Sequence, residues 1–106
     1  MSPHDRDQLI LASLPIQSLT MVTIEAVVKD TGLTPEEIRR AIHSLRQHAV
    51  GIVTRKGRRL LAIRPEYWLI AQAEVQRWWR NGGEQIALEA RAAGRRAKAG
   101  EAEAKR

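Results

Sequence analysis

The sequence predicts a mainly α-helical protein with one small β-hairpin, followed by an additional C-terminal helix and a basic tail. Three observations lead there. Apolar residues recur at helical spacing across residues 24–45, Thr34-Pro35-Glu36-Glu37 has the form of a helix start, and two short aliphatic runs flank the basic turn Lys56-Gly57-Arg58-Arg59. A chain of 106 residues is sized for one compact unit. Phenylalanine is absent and aromatic residues are only 4%, so Leu, Ile, Val and Ala must build the core around Trp68, Trp78 and Trp79.

Residues 5–14 read as a first helix with Leu9, Ile10 and Ala12 on an apolar side, ended by Pro15. Residues 16–22 form a connector with room for a short strand. Thr23 caps a second helix over residues 24–31, where Ile24, Val27 and Val28 share a face, and Gly32 stands where a helix end needs positive φ. The third helix opens with Thr34 as N-cap, Pro35 at the first helical position and Glu37 as the capping-box partner. It is read to about His48. Ile38, Ala41, Ile42 and Leu45 face inward, and Arg39, Arg40, His43, Arg46 and Gln47 occupy the other sides. Residues 50–55 and 60–63 are the hairpin strands. Pro65 opens a fourth helix over residues 66–80 with Trp68, Ala71, Val75, Trp78 and Trp79 along one stripe, stopped by Asn81-Gly82-Gly83. Residues 84–106 are rich in Ala, Arg and Glu, and Ile86 and Leu88 are the last large apolar side chains. They read as a frayed helix passing into a disordered tail. The expected divisions are therefore 1–64, 65–83 and 84–106.

Charge narrows the function. The formal net charge is +6, which favours a polyanionic partner. Residues 38–65 hold eight Lys or Arg residues and no acid, whereas the rest of the chain carries ten bases against twelve acids. The absence of cysteine excludes disulfides, thiolate zinc sites and a cysteine nucleophile. His4, His43 and His48 lack metal-ligand spacing, no Gly-rich phosphate loop or nucleophile elbow occurs, and the adjacent Glu36 and Glu37 point apart. No enzyme, cofactor or metal is expected. The acidic start of the chain does not read as a secretory signal, and no apolar run approaches the roughly 20 residues of a membrane span, so the expected location is the cytoplasm.

The segment IEAVVKDTGLTPEEIRRAIHSL, with Gly32-Leu33-Thr34 in a turn between two helices, resembles the bacterial helix-turn-helix. RRAIHSLRQHAVGIVTRKGRRLLAI resembles its recognition helix leading into a two-stranded wing. Val28 stands where the family commonly has alanine, and Ala49 where glycine usually ends the helix. The resemblance to winged helix-turn-helix proteins covers about 40 residues. It implies duplex DNA as partner, with Thr34, Arg39, Arg40, His43, Arg46 and Gln47 on the recognition helix and Arg55, Lys56, Arg58 and Arg59 on the wing. A small prokaryotic or phage-type transcriptional regulator is the expected role. The alternatives are an adaptor that grips another protein in a replication, transcription or defence complex, and a non-specific architectural DNA binder.

Two features remain. Neighbouring helical residues project about 100° apart, so one core face does not bury both Trp78 and Trp79. Trp68, Val75, Trp78 and Trp79 are therefore candidate contacts with a second subunit or another protein. Arg91, Arg95, Arg96, Lys98, Lys105 and Arg106 outnumber Glu101 and Glu103, which suits either a solubilising end or a basic arm on DNA.

Overall fold

The structure is a computed structural model that describes residues 1–18 and 20–104. It is mainly helical with a small three-stranded antiparallel sheet. Helix α1 (Pro3–Ser13) starts earlier than the periodicity predicts, because Ser2 and Pro3 supply the start. The Ser2 hydroxyl accepts from the Asp5 N–H at 3.1 Å, and proline at the first position has no N–H to satisfy. Among the described residues of the following connector, Val22 alone enters a strand, β1 (Val22–Thr23). Helix α2 (Ile24–Thr31) runs between its Thr23 cap and Gly32, whose φ of 79° is left-handed.

Helix α3 (Pro35–Leu45) opens with both halves of the expected capping box in place. It ends at Leu45, short of the expected His48. Residues 46–49 tighten into a turn as Arg64 takes over their carbonyls: its guanidinium donates to Arg46 O at 2.7 Å, and its backbone N–H to Ala49 O at 2.8 Å. Strands β2 (Val50–Arg55) and β3 (Arg58–Ile63) follow, and β3 lies between β1 and β2 in the sheet.

Arg58 and Arg59 were expected in the turn but belong to β3, paired with Arg55 and Thr54. The turn itself is the two residues Lys56 and Gly57, with φ of 51° and 76°. Positive φ at both central positions matches the right-handed twist of the flanking strands, which is why this two-residue turn suits a hairpin.

A short 3₁₀ turn (Pro65–Tyr67) precedes helix α4 (Trp68–Trp78). The chain then breaks at Asn81 and Gly82 (φ 102°) and turns into α5 (Glu84–Ala104). The core joins Leu9, Ile10 and Leu11 of α1 to Val27, Ile38, Ala41 and Leu45 of α2 and α3, over Val50, Leu61 and Ile63 of the sheet.

The segment expected to fray is an ordered helix as far as it is described, and its first half packs. Ala87 and Ala90 are buried, and a Cβ placed on Gly32 would collide with the Ala90 carbonyl. A Cβ on Gly94 would lie 2.5 Å from Gly32 Cα, so two glycines let α5 touch the α2–α3 turn backbone to backbone. Arg91 secures the contact by donating from Nε to Asp30 O at 2.7 Å. Lys105 and Arg106 of the expected tail lie outside the described residues. No helix among the described residues is long and apolar enough to cross a membrane.

Candidate functional site

Ile38, Ala41, Ile42 and Leu45 of α3 are all buried, so the opposite side of that helix must face solvent. Arg39, Arg40 and His43 are exposed there. Arg46 and Gln47 are exposed as well, but they sit on the turn that follows α3 rather than on the helix. Thr34 is exposed and committed to capping: its hydroxyl accepts from Glu37 N–H at 3.1 Å and donates to Glu37 Oε1 at 3.0 Å. Glu36 does not stand alone, since its carboxylate meets Arg40 Nη2 at 2.9 Å. Both side chains of that pair are more than two-thirds exposed, so the bond is worth under about 1 kcal/mol and opens at little cost.

The hairpin concentrates positive charge further. Arg55, Lys56, Arg58 and Arg59 are all exposed at its end, and Arg55 lies directly opposite Arg58 across the strands. Like charges facing each other weaken a hairpin. Among the described residues, none of these four cations forms a salt bridge, nor does Arg39 or Arg46. Folding leaves this concentration of charge unneutralised.

Arg64, the eighth cation of the acid-free run, has a different job. It is half-buried, and its side chain donates to Arg46 O and, at 3.3 Å, to Val50 O. It ties the end of α3 to the base of the hairpin, linking the two exposed basic surfaces. Sequence reasoning counted Arg64 for charge and missed this role, because its acceptors are backbone carbonyls that leave no trace in side-chain pattern.

The fourth-helix residues divide. Trp78 is buried and its indole N–H donates to Asp5 Oδ1 at 2.9 Å. Trp68 is half-buried and donates to Ile63 O at 3.0 Å, and Val75 packs partly into the core. The Trp78 ring is thus taken up by the interior, while Trp68 and Val75 lie half-buried at its edge. Trp79 is 39% exposed, as periodicity requires of one of two neighbouring rings. The exposed Leu69 and Ile70 on the same helix were not singled out.

A polar cleft of about 520 Å³ opens between α1 and α4, lined in part by His4, Asp7, Gln8, His48, Tyr67 and Glu74. Glu74 accepts from Tyr67 Oη at 3.1 Å and from Gln8 Nε2 at 3.3 Å. Burial pushes the Asp7 carboxyl above its usual range, and burial together with the Glu74 bond raises the Tyr67 phenol. The lining holds no serine, threonine or cysteine, and no three His, Asp or Glu residues among those described gather as metal ligands. Its residues come from positions scattered between 4 and 81, so no local motif marks it.

Comparison with family models, with curated proteins and with solved structures finds no match to this chain.

Proposed function

We propose that this chain is a winged helix-turn-helix protein that binds duplex DNA in the cytoplasm as a small transcriptional regulator. One observation carries the reading. The acid-free basic run resolves into two exposed cationic surfaces, the outer side of α3 and the tip of the hairpin, held together through Arg64. The order α2, tight turn, α3, hairpin supports it, as does β1 completing the sheet beside β3. A helix about 10–12 Å across enters a major groove about 12 Å wide. Arg39, Arg40 and His43 then face base edges, and the hairpin cations lie on the phosphate backbone.

Arginine pairs bidentately with guanine O6 and N7, and a good pair contributes roughly 1–3 kcal/mol of discrimination. Arg39→Ala is therefore expected to weaken binding to a preferred duplex about 5- to 150-fold, with little change on a random one. Fluorescence anisotropy on both duplexes measures it. Equal losses on the two would demote Arg39 to a phosphate contact. A second reading, an adaptor or a homodimer held through α4, is favoured by the exposed Leu69, Ile70 and Trp79. Absence of duplex binding by the 106-residue chain at low salt would turn the assignment to that reading.

A further inference from the structure

The contact between α5 and the α2–α3 turn places a second basic element beside the proposed interface. Gly94 rests on Gly32, two residues before the Thr34 cap of α3. Consecutive Cα atoms are 3.8 Å apart, so the start of α3 lies within about 8 Å of this anchor. Ala87, Ala90, Arg91 and Gly94 form the stripe of α5 that meets α2 and the turn. At helical spacing the same stripe continues to Lys98, flanked by Arg95, and with Arg96 all three are exposed. The helix continues for ten residues past Gly94, roughly 15 Å.

We propose that α5 beyond Gly94 is a fixed arm that binds the phosphate backbone of the duplex beside the groove entered by α3, through Arg95 and Lys98. The proposal rests on the reading of the chain as a duplex-DNA binder and extends its interface. In a docked helix-turn-helix the N-terminal part of the second helix enters the groove, so an element seated on the preceding turn stands over the groove wall. Phosphates line that wall. Ordering a free tail on DNA costs conformational entropy, whereas this arm is already helical and pinned by the glycine contact and the Arg91–Asp30 bond.

The test compares the full chain with the R95Q/K98Q double variant, measuring affinity for one duplex across a salt series. Each lost phosphate contact lowers the slope of log affinity against log salt by about 0.9. The double variant is expected to lose about two units of slope, to keep its sequence preference and to melt at the parental temperature. Gly94→Leu retains every charge but forces α5 off the turn, and it is expected to lower the slope as well. A double variant with unchanged slope, beside a K56Q/R58Q/R59Q variant whose slope falls, would overturn the arm while leaving the DNA reading in place. A parent chain with no salt-dependent duplex binding would overturn both.

Discussion

Asp5 and Trp78 join two segments 73 positions apart through one hydrogen bond. The indole N–H, and after it the Ser2 hydroxyl, favour the carboxylate form of Asp5 and hold its pKa below the usual value. The folded protein thus takes up a proton at Asp5 less readily than the unfolded chain does. Ionised Asp5 favours the native state above the unfolded pKa of about 4, and that contribution is lost as pH falls through the lower native value. Trp78→Phe keeps an aromatic ring and removes the donor, so Asp5 is expected to titrate closer to the ordinary carboxylate value. Carboxyl NMR titration reads this directly; an unmoved Asp5 in the variant would show that the bond does not set its acidity. At this scale the sequence was legible wherever a residue acts on its neighbours. Thr34 and Glu37 cap at a spacing of three, and both roles are visible in the letters. Asp5 with Trp78 and Arg64 with Arg46 are pairs closed only by the fold, and nothing local announces them.

Among the elements, α2 and α3 were read closely because large aliphatic residues recur at helical spacing between recognisable caps. The hairpin was read in kind but with β3 too short. Arg58 and Arg59 look like turn residues, yet a two-residue turn lets paired strands carry charge to their tips. The packing of α5 was missed for a different reason. It adheres through Ala87, Ala90 and Gly94, where burial comes from close backbone approach and not from large side chains. Two glycines separate that contact from ordinary backbone strain. Gly32 and Gly57 have nearly the same φ, 79° and 76°, but a Cβ on Gly57 meets nothing within 4 Å while one on Gly32 strikes α5. Gly57→Ala is expected to cost about 1–2 kcal/mol for the left-handed backbone alone. Gly32→Ala adds overpacking, roughly a further 1–3 kcal/mol. Chemical denaturation of the two variants compares them, and equal losses would mean that α5 does not dock on the turn.

For the whole molecule, the radius of gyration is 14.1 Å, against about 13 Å for a compact domain of this length. The excess fits a long α5 whose second half continues beyond its anchor on the turn. Positive charge is concentrated on α3 and the hairpin, and the rest of the chain is mixed, with Arg95, Arg96 and Lys98 exposed on α5. Such a distribution favours approach of a polyanion to α3 and the hairpin over the rest of the surface. In the proposed complex with duplex DNA, base selection falls to a few α3 side chains, while phosphates contribute affinity without sequence information. The most direct test exposes the full chain to a pool of random duplexes at rising salt and sequences what is retained. A base-reading α3 predicts a common short motif among the retained duplexes that Arg39→Ala relaxes at one or two positions. Retention with no enriched motif, lost uniformly as salt rises, would contradict it.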